Sequence, residues 1–189
     1  MTAGLARVAA IVADDAWSME VLRAVRAFGL ADWAVGAGFV RSLVWDRLDG
    51  LPARTVLTDV DVLTFDPADT DPETDAAVEA VLRARRPDIP WQVRNQARMH
   101  VRNGDAPYAS IADAMAHWLE TPTAVAVRLE PDDRLAVIAP FGVEDLLAKV
   151  IRPTPAGVAK ADEYRARVHG RGWAGRWRDV TLLDNTSPR

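Results

Sequence analysis

The sequence predicts an α/β (α+β) domain in which helices flank a small mixed central sheet. Segments with helical spacing of apolar residues alternate with short apolar, β-branched segments, and Gly or Pro residues separate many of them. The chain has 189 residues, of which 49% are hydrophobic and 26% charged, the balance of an ordinary globular protein. This order of elements is typical of helices packed on one sheet.

Helices are expected at the start of the chain. Apolar residues have helical spacing over residues 3–13 and 17–28, and Gly29 stands where the second helix would stop. Residues 32–36 predict a short buried strand that runs into a glycine turn. Residues 39–48 then predict a further helix.

The clearest strand of the chain is predicted over residues 57–65, which are rich in β-branched and apolar side chains. A helix is expected over residues 71–86, because Asp71 is a suitable N-cap and Pro72 suits the first helical position. Residues 91–94 predict a short third strand.

The second half of the chain predicts a mixture of helices and one hairpin. The expected elements are a helix over 110–118, a hairpin formed by 123–129 and 135–139, and helices over 141–150 and 157–168. We expect residues 1–178 to form a single domain, with a weak sub-boundary near residue 105. Residues 179–189 are expected to be a frayed tail.

Charge and composition exclude several classes of function. The net charge of −4 argues against a broad nucleic-acid-binding surface, because such a surface depends on basic side chains. The absence of cysteine excludes thiol catalysis and zinc–thiolate sites. No run approaches the roughly 20 apolar residues of a membrane helix, so a soluble, cytoplasmic protein is expected.

Asp59 and Asp61 are the strongest candidates for metal binding. On a strand, residues two apart project from one face with Cα atoms about 6.6 Å apart. Leu57, Leu63 and Phe65 share this face, so the two carboxylates interrupt an apolar stripe, where like charges repel and lose hydration. A divalent cation such as Mg²⁺ compensates that cost. The alternative is a solvated strand end at the sheet margin.

Gly36 and Gly38 stand between the first predicted strand and the helix that follows it. Glycines there let the backbone approach a phosphate, and the helix N-terminus offers free N–H groups. Almost all basic residues of the chain are arginines, which bind phosphate bidentately, and Arg41 follows this turn. The motif is neither a Rossmann fingerprint nor a P-loop, and a plain tight turn is the alternative.

A glycine turn followed by an acidic pair on the next strand resembles the DNA polymerase β-like nucleotidyltransferase superfamily. The chain is most similar to an uncharacterised bacterial nucleotidyltransferase-like family. The residues that carry this resemblance span nearly the whole chain: 35–41, 58–62, 65–66, 91–100, 120–124 and 139–142.

The resemblance implies transfer of an NMP group from an NTP to an unidentified acceptor hydroxyl. Asp59 and Asp61 would hold Mg²⁺ (or Mn²⁺), while Gly36, Gly38 and Arg41 would bind the triphosphate. Fully active members of the superfamily carry a third carboxylate on a later strand, and the strand at 91–94 has none. Two acids lie near later strands and are the candidates for this role: Glu120 and Asp88.

A polar cluster follows the third predicted strand. Its members Asn95, Arg98 and His100 are candidates for an acceptor or base pocket, and the alternative is a capped helix start with surface polar groups. The C-terminal segment carries five arginines, Arg165, Arg167, Arg171, Arg176 and Arg178, with Trp173 and Trp177 on one helical face. A solvated face over the core edge is the favoured interpretation, and a segment that folds back over the site is the alternative.

Two other functions stay open at the level of the sequence. A missing third acid favours a catalytically inactive nucleotide-binding or regulatory module. The acidic surface would also suit an interaction protein, such as the antitoxin-like partner of a two-component pair, that binds a basic protein.

Overall fold

The central feature of the computed structural model, which describes residues 2–184, is a five-stranded sheet. Its strands are β1 (Trp33–Gly36), β2 (Val60–Thr64), β3 (Trp91–Asn95), β4 (Ala126–Leu129) and β5 (Leu135–Ile138). The spatial order is β3-β2-β1-β4-β5, with β2 and β3 parallel and the other neighbours antiparallel. The predicted mixed sheet flanked by helices is confirmed.

The helices of the first half begin and end close to where the sequence predicts. They are α1 (Ala3–Ala13), α2 (Ala16–Arg26), α3 (Gly38–Asp49) and α4 (Pro72–Arg85). Asp71 caps α4, since its carboxylate accepts a hydrogen bond from the Glu73 N–H at 2.9 Å. Gly50 ends α3 in the left-handed conformation that favours glycine.

The second half differs more from the prediction. Its helices are α5 (Met99–Asn103), α6 (Ile111–Ala116), α7 (Glu144–Leu147), α8 (Pro155–Ala159), α9 (Ala161–Gly170) and α10 (Trp173–Arg176). The predicted helix over 141–150 shrinks to α7, because Gly142 and Lys149 have positive φ on either side of it. The predicted helix over 157–168 is divided at Lys160, whose backbone is not helical.

The predicted frayed tail needs a correction. Thr181–Leu182 form a strand, β7, which pairs in parallel with β6 (Val150–Ile151). The Leu183 N–H also donates to the Ile151 carbonyl at 2.9 Å. Residues 185–189 of the predicted tail lie outside the described residues. Among residues 2–184, the helices lack the length and apolarity that crossing a bilayer requires.

The two faces of the sheet are covered unequally. Alternate residues such as Val35, Val60 and Val62 point into the main core, which helices α1 to α4 and the C-terminal tryptophans complete. The opposite face carries a smaller cluster of Ala34, Leu63 and Ala126 beneath α6. Polar side chains therefore remain possible at the margin of this second face, which is where Asp61 lies.

Helix α4 closes the open edge of β3 with two carboxylates. The Val93 N–H donates to Glu79 at 3.1 Å, and the Asn95 N–H donates to Asp75 at 2.9 Å. Residues four apart on a helix and two apart on a strand have similar spacing, so one helix face satisfies successive edge N–H groups. Asp75 is buried and also pairs with Arg98. This arrangement protects an edge that could otherwise pair with another chain.

We predict that Asp75→Ala lowers the free energy of unfolding by roughly 3–5 kcal/mol, because it leaves Arg98 and the Asn95 N–H without their buried acceptor. Glu73→Ala, an exposed change on the same helix, should cost less than about 1 kcal/mol. Urea unfolding of both variants measures the difference. Equal losses would show that Asp75 does not close the edge.

Candidate active site

Asp59 and Asp61 lie where β2 begins, next to the glycine turn. The strand starts at Val60, so Asp59 directly precedes it and Asp61 lies within it. In the sheet, Asp61 pairs with Gly36 of β1 on one side and with Gln92 of β3 on the other. Gln92 therefore occupies the strand position beside Asp61.

The two carboxylates are half-buried and make no hydrogen bond or ion pair with another side chain among residues 2–184. Burial, and next the charge of Asp59, raise the pKa of Asp61 to about 6, while Arg167, Arg94 and Arg171 oppose this rise. Two unpartnered carboxylates whose negative charges repel are a suitable oxygen donor set for a hard divalent cation.

In the glycine turn, the unusual backbone conformation belongs to the alanine between the two glycines. The residue with positive φ is Ala37 (φ 54°, ψ −125°), a conformation rarely adopted by residues with a Cβ atom. Its N–H donates to the Val125 carbonyl at 3.1 Å. Gly36 is required by packing instead, because a Cβ atom there would lie 2.9 Å from that of Ala126. No side chain caps α3 at Gly38.

Arg41 lies on the first turn of α3 and is almost fully buried, with 8% of its surface exposed. Its Nη1 donates to Thr123 Oγ1 at 3.0 Å, and its guanidinium carbon lies 4.4 Å from the ring centroid of Trp173. Its Nε has no hydrogen-bond partner. Burial lowers the pKa of Arg41 to about 10, against the opposing charges of Glu120 and Asp59, so the side chain remains cationic at neutral pH.

Neither candidate third acid joins the pair. Glu120 is 1% exposed, and its Oε1 accepts a hydrogen bond from Arg167 Nε at 2.8 Å. Asp88 is exposed and pairs with Arg86 at 2.8 Å. Within residues 2–184, no cluster of three or more histidine or acidic side chains is placed to hold a metal ion. Two carboxylates still fit Mg²⁺, which commonly takes its other ligands from water and substrate phosphates.

The charges of three arginines act on Asp61, and two of them belong to the C-terminal segment, for which the sequence offered a position over the site only as the alternative. Arg94 follows Gln92 by two residues on β3, and Arg167 and Arg171 come from α9 and its C-terminal cap. The C-terminal segment packs onto α3 through edge-to-face contacts between tryptophans. The ring centroids of Trp173 and Trp177 lie 6.3 Å and 5.0 Å from that of Trp45. The four-residue spacing of these tryptophans was the one sequence signal of this packing.

The structure places Asn95, Arg98 and His100 away from the carboxylate pair. Asn95 lies three residues beyond Gln92, about 10 Å along the strand, and its amide donates to the Asp66 and Asp69 carbonyls. Arg98 pairs with Asp75, and His100 Nδ1 contacts the Ala97 carbonyl at 2.8 Å.

Arg98 and Arg94 also line an open groove of about 520 Å³ between α4 and β3. Arg94 is thus common to this groove and to the surroundings of Asp61.

The fold and the glycine turn beside an acidic pair define a nucleotidyltransferase-type domain. A family profile described as nucleotidyltransferase matches residues 23–182, and the chain therefore belongs to this nucleotidyltransferase family. An NMR structure described as revealing a CCA-adding enzyme head domain is 30% identical to the chain, with a TM-score of 0.83. The match covers 94% of this chain and 95% of that one.

Longer enzymes share the fold at lower identity. The Thermotoga maritima CCA-adding enzyme complexed with tRNA is 17% identical (TM-score 0.61), and the match covers 95% of this chain and 43% of that one. A tRNA-processing enzyme with CTP is 20% identical to this chain (TM-score 0.53). The match covers 88% of this chain and 43% of that one. The chain spans less than half the length of these two enzymes. No match was found among curated proteins.

We predict that Gly36→Ala lowers the free energy of unfolding by about 1–3 kcal/mol, because the new Cβ atom would overlap Ala126 in β4. Gly38→Ala is the matched control. A Cβ atom there meets nothing closer than Arg41 Nη2 at 3.6 Å, so the loss should stay below about 1 kcal/mol. Thermal or urea unfolding compares the two variants, and equal losses would contradict the close approach of β1 and β4.

The raised pKa of Asp61 predicts that ionisation of this side chain lowers the free energy of unfolding of the metal-free protein. The unfolded side chain ionises near 3.8 and the folded one near 6, so stability is lost as the pH rises through this window. Asp61→Asn should therefore be more stable than wild type by roughly 1–3 kcal/mol above pH 6, and equally stable below pH 4. Urea unfolding across pH 3.5–8 tests this. A pH-independent difference would contradict it.

Proposed function

We propose that the chain transfers an NMP group from an NTP to an acceptor hydroxyl. The acceptor oxygen forms a bond to the α-phosphorus, the bond to the bridging oxygen breaks, and pyrophosphate leaves, while the hydroxyl proton passes to solvent. Asp59 and Asp61 would hold Mg²⁺ (or Mn²⁺), which supplies charge neutralisation when bound. The chain's own task is to position the phosphates and the acceptor.

The observation that carries this proposal is the unpartnered carboxylate pair beside an uncapped helix N-terminus. Asp61 pairs directly with Gly36, and α3 begins two residues later. Phosphate oxygens placed there would meet backbone N–H groups of α3 on one side and the carboxylate-bound cation on the other. Membership of the nucleotidyltransferase family supports the same chemistry.

We further propose that the acceptor is the ribose hydroxyl of an RNA end. The support comes from fold neighbours, one of which is complexed with tRNA and another with CTP. The groove lined by Arg94 and Arg98 offers a local basic surface in an otherwise acidic chain. It is local rather than broad, so a short, structured end of the RNA suits it better than a long duplex.

A non-catalytic nucleotide-binding module is the second candidate. One observation favours it: Gln92, not an acid, lies beside Asp61, and neither Glu120 nor Asp88 joins the pair. This module would bind an NTP with a divalent ion and release it unchanged.

Asp59→Ala and Asp61→Ala should each lower nucleotidyl transfer by at least about 100-fold, because each removes a ligand of the cation that would neutralise the phosphates. The assay incubates the full chain with each α-³²P-labelled NTP, Mg²⁺ and tRNA with or without its 3′ end, and follows labelled RNA and released pyrophosphate. Asp132→Ala, an exposed acid in the β4–β5 turn, is the control for loss of charge.

Retained transfer in both site variants would overturn the assignment of the metal-binding acids. Binding of NTP by wild type without any labelled product would favour the non-catalytic module. Circular dichroism of each variant separates loss of chemistry from loss of folding.

A further inference from the structure

We infer that Arg167 and Arg171 form a cationic wall that binds the β- and γ-phosphates of the NTP opposite Asp59 and Asp61. Glu120 is the positioning residue that holds Arg167 in this wall. The inference rests on the proposed function, because it names the residues that would complete the triphosphate site. Arg167 lies on α9 and Arg171 is its C-cap, so both arginines are far in sequence from the glycine turn.

The anchor of the wall is the contact between Glu120 and Arg167. Glu120 Oε1 accepts from Arg167 Nε at 2.8 Å, and the carboxylate is 1% exposed. The Arg167 side chain is 34% exposed, so its terminal amino groups reach solvent while Nε is fixed. A guanidinium held by one edge can still present its other N–H groups to a phosphate.

The wall reaches the carboxylate pair across the loop that precedes β4. Glu120 begins this loop, Thr123 accepts a hydrogen bond from Arg41, and Val125 accepts one from the Ala37 N–H of the glycine turn. The neighbouring residue of that turn, Gly36, pairs with Asp61. Consecutive contacts therefore connect Arg167 and Glu120 with the glycine turn and, through Gly36, with Asp61.

The position of Arg171 follows from that of Trp173. Gly172, in the left-handed conformation, separates the two residues, and Trp173 stacks on the buried guanidinium of Arg41. Arg171 is exposed and precedes the stacked Trp173 by two residues. The charges of Arg167 and Arg171 both lower the pKa of Arg41, which agrees with positions near this buried side chain.

Within the described residues, two buried polar atoms near the wall have no hydrogen-bond partner: the donor Arg41 Nε and the acceptor Glu120 Oε2. Arg41 is more than nine-tenths buried, yet its Nε has no hydrogen-bond acceptor. Buried donors are normally paired, and a phosphate oxygen would supply the missing acceptor. A triphosphate also carries more negative charge than one divalent ion can neutralise beside two carboxylates, so additional cations are needed in a half-buried site.

The competing interpretation is that Arg167 only neutralises the buried Glu120 and that Arg171 is an ordinary surface residue. The two interpretations differ in how nucleotide affinity depends on phosphate number. A phosphate-binding wall discriminates NTP from NMP, whereas a purely structural pair affects both nucleotides alike.

The experiment measures binding of CMP, CDP and CTP, and of the adenine series, to the full chain with Mg²⁺ by isothermal titration calorimetry. We expect Arg167→Gln and Arg171→Gln each to weaken NTP binding by about tenfold, with NMP binding changed less than about twofold. Arg165→Gln, which removes the same charge from the same helix, should leave the NTP-to-NMP affinity ratio unchanged.

Three outcomes would overturn the inference. If wild type binds NTP and the Arg167 and Arg171 variants keep its NTP-to-NMP affinity ratio, these arginines do not bind the phosphates, while the proposed function stands. If Arg165→Gln lowers the ratio equally, the effect is one of net charge. If wild type binds no NTP, the proposed function and the wall both fail.

Glu120→Gln tests the positioning role. The variant should lower the NTP-to-NMP affinity ratio, and combining it with Arg167→Gln should add little, because both changes remove the same anchored guanidinium. Full additivity would show that Glu120 acts independently of Arg167. If burial of the new amide prevents folding, the arginine variants alone decide the inference.

Discussion

The burial of Asp61 beside the like charge of Asp59 is the constraint on which the rest of the site depends. Both carboxylates lie at the margin of the thinly covered sheet face, where neither water nor a protein partner fully neutralises them. The main core occupies the other face and fixes the strand that carries Asp61. Arginines from two distant parts of the chain, β3 and the end of α9, then moderate the charge without forming an ion pair with it.

The sequence predicted the first half of the fold well because local signals there agree with tertiary packing. Asp71, Pro72 and Gly50 end or begin helices for reasons that a few neighbouring residues determine. In the second half, the breaks at Lys149 and Lys160 depend on backbone conformations that no glycine or proline marks. The strand at Thr181–Leu182 has no local signal beyond a few apolar residues and exists through pairing with β6.

The site shows the same division between local and long-range information. The acidic pair and the glycine turn were predictable because each is a short local motif and the two belong to successive predicted strands. The sheet register then brings Gly36 beside Asp61. Glu120 could not be interpreted from sequence alone, since its role depends on Arg167, 47 residues away. Its Oε1 accepts a hydrogen bond from Arg167, and a role of Glu120 as the third acid stays a prediction.

Ala37 has a consequence for how the site meets a nucleotide. A glycine at this position would sample many backbone conformations before binding, and ordering them would weaken affinity. The Cβ atom of the alanine disfavours the observed conformation, so the fold and the hydrogen bond to Val125 must hold the turn against this strain. The cost of the conformation therefore falls on folding, and the phosphates of the proposed substrate would meet a turn that is already formed.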